Sequence, residues 1–239
     1  MRIDKFLTEL GVGSRSEVKK MIKTGQITLN GIPVKKAELQ IDETKDVVTY
    51  QGKVLCYQQF EYYMFHKPAG CVCANRDAVH ETVFSYVPMN ARGDLFTVGR
   101  LDLDTEGLLL ITNDGIFAHH LLSPGKHVEK CYLAHLNQPA TPEDVLRFAQ
   151  GIDIGEQHRT KPAQLSIDPT DGTKVRITIA EGMYHQVKRM MHACGKEVIY
   201  LKRLTMGAFV LDESLALGAY RKFTEREMDY VTEYKSSYL

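Results

Sequence analysis

The chain has 239 residues, 44% of them hydrophobic, and its 30 Lys and Arg balance 30 Asp and Glu to a formal net charge of zero. That length suits one large domain, or a small domain followed by a medium one, with a real core. Neutrality excludes a uniformly basic nucleic-acid coat but not a local basic patch. No run approaches the ~18 apolar residues of a membrane span.

The first element with a clear physical signature is SRSEVKKMIKTG, residues 14–25. Ser14 and Glu17 have capping-box spacing, Val18, Met21 and Ile22 form one apolar helical face, and Gly25 suits the C-terminal stop. Arg15, Lys19 and Lys23 lie along another face, with Lys20 beside them. Asn30-Gly31 between two short apolar runs then predicts a tight hairpin. Residues 1–36 hold eight Lys and Arg against three Asp and Glu, a local net of +5, so the remainder carries −5. This asymmetry points to a polyanionic partner; a merely solvated helix face is the structural alternative. The helix, basic helix and NG hairpin, carried by RIDKFL, SRSEVKKMIKTGQITLNG and VKKAELQI, resemble the S4 RNA-binding module. The resemblance favours RNA.

Asp42 to Phe60 shows no sustained helical period and is read as the linker. The domains predicted are residues 1–59, an S4-like module, and residues 60–239. Beyond the linker, YYMFHKP and GCVCA are predicted as a buried hairpin-like pair around Pro68-Ala69-Gly70. LFTVG and LLLIT read as strands, the latter closed by Asn113-Asp114-Gly115, and Ile116–Leu122 as helix. HVEKCYLAHL, KVRITIAEG and EVIYLKRLTMG read as strands. TPEDVLRFAQG has Thr141 at the N-cap, Pro142 at N1, acids in its first turn and a closing Gly151; YHQVKRMMHACG is a helix ended by Gly195. The fold class expected is α+β, with a mainly antiparallel mixed sheet and flanking helices. The five cysteines (56, 71, 73, 131, 194) contain no CxxC pair and read as free thiols of a reducing, cytoplasmic compartment.

Chemistry concentrates in GRLDLDTEG, residues 99–107. If GRLDLD is extended, Leu101 and Leu103 face one way and Arg100, Asp102 and Asp104 the other. A carboxylate beside an apolar core needs a partner, and Arg100 is the nearest in sequence. Asp104 and Glu106, in the following turn, read as solvated, and Asp114 as a turn or cap residue. Asp102 is therefore the acid expected to be half-buried, either as a structural ion pair or as a reactive group. In YHQVKRMMHACG, Val187, Met190, Met191 and Cys194 share the core face, while His185, Lys188 and His192 share another with Arg189 adjacent. A cation brought near Asp102 would keep it ionised as a nucleophile.

GRLDLDTEGLLLITNDG, YYMFHKPAGCVCA, EKCYLAHL and EGMYHQVKRMMHACGKEVIYLKR together resemble the pseudouridine synthases of the RsuA/RluB/E/F group, and with the front module the resemblance spans nearly the whole chain. It implies a pseudouridine synthase catalytic domain. It also implies that Asp102 is the nucleophile, that Tyr132 packs on the target uracil, and that Lys188 pairs with the aspartate. Arg100 matches the arginine of the family motif. Substrate contacts are expected from Arg100, Arg189 and His185, and from Arg15, Lys19, Lys20 and Lys23. Met183 and Cys131 depart from residues common in the group. Isomerisation of uridine changes no oxidation state and needs no hydrolysis, so no cofactor and no metal are expected. With the front module and no basic tail, the architecture is most like the group's small-subunit member. The expectation is a monomeric 16S rRNA enzyme, not membrane-bound, acting on free RNA or an assembling subunit. A large-subunit rRNA enzyme of the same group and a non-catalytic RNA-binding or ribosome-assembly factor are the alternatives.

Overall fold

The computed structural model describes residues 1–90 and 92–236. The chain divides into two compact units, Met1–Glu61 with Met89–Leu95, and Tyr62–Pro88 with Phe96–Leu239. In the first, helices α1 (Ile3–Glu9) and α2 (Arg15–Lys23) precede strands β1 (Ile27–Leu29), β2 (Ile32–Pro33), β3 (Val48–Tyr50) and β4 (Lys53–Leu55). The Ser14–Glu17 capping box forms as expected, with the Ser14 N–H donating to Glu17 Oε2 at 2.8 Å. Val18 and Ile22 are buried with Ile3, Phe6, Leu7 and Ile27. Asn30 and Gly31 both have positive φ, +51° and +82°, as a two-residue hairpin turn between twisted strands requires.

Much of the segment read as linker is folded. β3 pairs with β1 and β4 in a sheet of order β2-β1-β3-β4. The Asn30 side chain fastens residues 46–47, donating to Asp46 Oδ1 and accepting from the Val47 N–H, each at 2.9 Å. Its two strands have three residues each and bury only Val48 between them, too little to show a period, which is why this hairpin was not legible.

The second unit runs β5 (Tyr62–Lys67), β6 (Cys71–Val72), β7 (Glu81–Thr82), β8 (Phe96–Val98), β9 (Glu106–Thr112), α3 (Gly115–Leu122), β10 (Lys130–Leu136), α4 (Pro142–Ala149), β11 (Gln164–Ile167), β12 (Lys174–Ile179), α5 (Gln186–Ala193), β13 (Val198–Met206), β14 (Phe209–Val210), β15 (Tyr220–Lys222) and α6 (Glu225–Ser236). Its main sheet has the order β11-β12-β10-β13-β9-β5-β15, with β8 added to β9 and β14 to β13. All these pairings are antiparallel except β9 with β13, so the expected mixed, mainly antiparallel sheet is present. β9 is central, and Leu108–Ile111 are fully buried. A strand covered on both faces reads as a continuous apolar run rather than an alternation. Asp114 caps α3, its Oδ1 accepting from the Ile116 and Phe117 N–H groups.

The expected hairpin of YYMFHKP with GCVCA does not form. β5 pairs with β9 and β15, while β6 runs parallel to β7. Pro68-Ala69-Gly70 does make a turn, but the chain leaves it into a separate ribbon because β9 and β15 already occupy both edges of β5.

Candidate active site

Residues Gly99 to Thr105 form the loop of the β8–β9 hairpin, and it is not the extended segment expected. Its main chain is held from beneath by Lys67. This side chain is fully buried at the end of β5, and its Nζ donates to the carbonyls of Pro68 and Asp102 at 3.0 Å and of Thr105 at 2.9 Å. Burial lowers the Lys67 pKa. The Thr105 N–H closes on the Asp102 carbonyl at 3.1 Å, and the Leu101 N–H donates to Cys73 Sγ at 3.3 Å. With its backbone so fastened, Asp102 keeps a side chain that is 27% exposed and free to meet other groups.

Those groups come from α5 and the residue before it. Lys188 Nζ lies 3.6 Å from Asp102 Oδ2 and 2.5 Å from Asp104 Oδ1. His185 Nε2 lies 3.5 Å from Asp102 Oδ1. The expected Arg100–Asp102 pair is not formed, and Arg100 is exposed. Neighbours in sequence are poor partners once the chain turns, and the helix presents a cation across the cleft instead. Asp104 is exposed as expected, though paired with Lys188, while Glu106 is half-buried rather than solvated. Partial burial pushes the Asp104 carboxyl up, but its hydrogen bond to Lys188 and that ammonium's charge hold it below the usual range. Glu106 accepts from the Tyr200 hydroxyl at 2.8 Å.

His185 precedes α5 with φ +50°, the left-handed region uncommon for a residue with a Cβ. Gln186 holds it there: its Oε1 accepts from the Met183 N–H at 3.0 Å, and its Nε2 donates to Glu181 at 2.7 Å. Val187, Met190, Met191 and Cys194 are buried, as their helical spacing required. Arg189 points away from Asp102, with its guanidinium on Glu156 at 2.6 Å and on the carbonyls of Tyr184 and Ile154.

Asp102, Arg100, His185, Lys188 and Tyr132 line one cleft of about 140 Å³. Tyr132, 8% exposed, lies on β10 between Ile177 of β12 and Arg203 of β13. Cys131 pairs with Thr205 and Tyr132 with Arg203, so Leu204 is an extra residue on β13. Such a bulge re-aims side chains beside it. Lys130, Thr105 and Arg203 also line the cleft. Sequence reasoning gave none of these three a place in the cleft, nor Lys67 and Gln186. For Lys67, Lys130 and Arg203 the signal within reach was a charged residue inside an apolar strand, at YYMFHK, KCYLA and VIYLKR. Arg15, Lys19, Lys20 and Lys23 are exposed on α2 of the first unit. Among the described residues, no group of three or more His, Cys, Asp or Glu could hold a metal ion, and no helix is long and apolar enough to cross a membrane.

Burial, then the neighbouring Arg203 charge, lowers the Lys130 pKa from 10.5 to about 8. Between these values the unfolded chain holds a proton that the native state has lost, so wild-type stability rises with pH across that window. Below pH 8 the buried charge opposes folding. Lys130→Met is therefore expected to raise Tm at pH 7, with the gain shrinking by pH 10. Paired melts at the two pH values test this, and a gain that does not change with pH contradicts it.

A basic helical module of RNA-binding type, followed in the chain by a sheet-borne cleft holding an aspartate, a lysine and a tyrosine, defines an RNA-modifying enzyme. The RNA pseudouridylate synthase family model matches residues 61–193 and the S4 domain model residues 1–48; the chain belongs to the RNA pseudouridine synthase family. It is 44% identical to the Bacillus subtilis (strain 168) RNA pseudouridine synthase YtzG, covering 98% of this chain and 99% of that one. It is 41% identical to the ribosomal small subunit pseudouridine synthase A of Haemophilus influenzae, covering 96% and 98%, and 41% identical to that of Escherichia coli K12, covering 95% and 98%. A crystal structure of a pseudouridylate synthase superposes with a TM-score of 0.68 at 40% identity, covering 97% of this chain and 99% of that one.

Proposed function

We propose that this enzyme converts one specific uridine of 16S rRNA to pseudouridine, with Asp102 as nucleophile, Tyr132 against the uracil and Lys188 as the counter-charge to Asp102. The observation that carries the catalytic reading is Lys188 Nζ, 3.6 Å from the Asp102 carboxylate at a cleft that Tyr132 also lines. The two relatives named as small-subunit enzymes, matched over nearly their full length, support 16S rRNA as the substrate.

The reaction breaks the C1′–N1 bond, turns the base and forms C1′–C5, with C5 losing a proton and N1 gaining one. Asp102 either adds to C6 of the uracil or takes up C1′ of the ribose, and Lys188 balances its charge until it attacks. A stacked base cannot reach this cleft, so the target nucleotide flips in, at a cost of a few kcal/mol. Stacking on a tyrosine ring returns about 1–3 kcal/mol per base. Arg100, exposed beside the cleft, and His185 contact the RNA around the target; Arg189 contributes through the wall it braces. The enzyme works as a cytoplasmic monomer.

The test is to treat 16S rRNA transcript, free and partly loaded with ribosomal proteins, and to map pseudouridine by chemical blocking and primer extension. One new stop supports the assignment. A stop on 23S rRNA and none on 16S moves the substrate to the large subunit. RNA binding with no stop on either would leave only a binding role.

The exposed cations of α2 account for a separable part of affinity. The log–log salt slope of RNA binding falls by ~1 for every phosphate that a cation no longer neutralises. Lys19, Lys20 and Lys23 all changed to Glu should weaken binding across RNA sequences and flatten that slope; titrations at two salt concentrations giving the wild-type slope would remove α2 from the interface.

A further inference from the structure

Two residues lining the Asp102 cleft carry a buried polar group that has no hydrogen-bond partner among the described residues. Arg203, 2% exposed, donates from Nε to the Leu108 carbonyl at 2.8 Å, but its Nη2 is buried with no hydrogen-bond partner among the described residues. Thr105, 1% exposed, carries a buried Oγ1 that is likewise unpartnered. A buried donor left unmade costs about 1–3 kcal/mol, and native structures keep few of them. Both residues line the cleft that holds Asp102 and Tyr132. Arg203 is the cross-strand partner of Tyr132, and directly opposite residues project to the same face of a sheet.

We propose that Arg203 and Thr105 are base-recognition groups, held idle so that their donors engage a carbonyl of the flipped uracil and carry the negative charge the base acquires during isomerisation. This rests on the uridine-isomerising reading above. Whether Asp102 adds to C6 or takes up C1′, electrons move onto the base. Addition at C6 pushes them toward O4, and rupture of C1′–N1 leaves the bonding pair on the ring, spread over N1, O2 and O4. When C1′–C5 forms and C5 loses its proton, N1 is reprotonated and the charge is gone. Donors fixed where charge develops stabilise the transition state more than the ground state.

The surroundings of Arg203 point the same way. Lys130 lies on the same face of β10 as Tyr132, two residues away, and lines the same cleft. Its ammonium donates to the Val128 carbonyl at 2.9 Å, and neither it nor Arg203 forms an ion pair among the described residues. The Arg203 charge helps to depress the Lys130 pKa, with the Glu181 carboxylate opposing it more weakly, so two cations act on one another in the cleft that also holds Tyr132. Tyr132 directly beside Arg203 makes the ligand a flat base rather than a phosphate.

Thr105→Val keeps the volume and removes only the idle hydroxyl. A structural role predicts lost stability; the proposal predicts a Tm at or above wild type with kcat reduced about fivefold to tenfold. Arg203→Lys retains charge without the fork, and Arg203→Gln removes the charge; kcat is expected to fall progressively, by about 10²–10³-fold for Gln, with KM moving little. Binding of free uridine and of inorganic phosphate to the same full-length proteins is measured alongside. Weaker uridine binding in Thr105→Val and Arg203→Lys, with phosphate binding unaltered, supports the proposal even if the wild type modifies no rRNA, an outcome that would sink the 16S reading separately. Wild-type kcat and uridine affinity in both variants, or a loss confined to phosphate binding, overturns it.

Discussion

Asp102→Asn is expected to abolish pseudouridine formation, by on the order of 10⁴-fold or more, while RNA affinity and Tm stay near wild type. The size of the activity loss follows from chemistry, since an amide cannot attack C6 or C1′ as a carboxylate does. The small structural effect follows from geometry. Removing one member of a buried ion pair is damaging when it strands the other. Here Lys188 keeps Asp104, its nearer partner at 2.5 Å, and the Asp102 main chain stays tied by the Lys67 ammonium at 3.0 Å. Asn also preserves the side-chain volume. Asp104→Asn makes the reciprocal control: it leaves Lys188 with Asp102 and should lower turnover by tenfold at most. Single-turnover mapping of the modified uridine, with filter-binding affinity on the same RNA, separates the effects. Turnover by Asp102→Asn within tenfold of wild type means that another group is the nucleophile.

The parts of this site that a linear reading captured are those set by short-range periodicity. The Val187, Met190, Met191 and Cys194 stripe fixed which side of α5 faces the core, and so which side carries Lys188. The Ser14–Glu17 box fixed α2, and with it the exposure of Arg15, Lys19, Lys20 and Lys23. The run Leu108–Ile111 announced a strand buried on both faces. What failed was partner assignment. Arg100 was the obvious neighbour for Asp102 because it is two residues away, yet the loop turns at that point and the cation comes from α5, 84 residues beyond Asp104. No periodicity encodes such a pairing; the β9–β13 register produces it. Lys67, Thr105 and Arg203 escaped for a related reason. Each is polar in an apolar setting, and what it serves is visible only when the main-chain carbonyls and the cleft are in place.

That register depends on one residue. Gly107→Ala is expected to destabilise the second unit by about 4 kcal/mol or more, leaving little native protein at 37 °C. Gly107 has φ +106°, and a Cβ built there lies 2.2 Å from the Arg203 carbonyl oxygen and 2.6 Å from its nitrogen. Those atoms belong to the parallel pairing of Glu106 with Lys202 and Gly107 with Arg203, which joins the strands from β5 to the strands around β10. Backbone atoms cannot rotate aside as a flexible side chain can, so the strands must part or the φ must change, and either breaks the ladder at its centre. The same shift would move Arg203 relative to Tyr132 and carry Thr105, two residues before Gly107, away from the cleft. Gly115→Ala is the matched control. Gly115 starts α3, and a Cβ there meets nothing within 4 Å. Alanine should be neutral there or stabilising by up to about 1 kcal/mol, by narrowing the unfolded ensemble. Urea unfolding of both variants decides the matter. A midpoint for Gly107→Ala close to wild type would show that β9 and β13 can separate without loss, and that the site does not depend on their close approach. A lowered midpoint with activity lost at concentrations where the protein is still folded would show that this glycine sets both the sheet and the cleft built upon it.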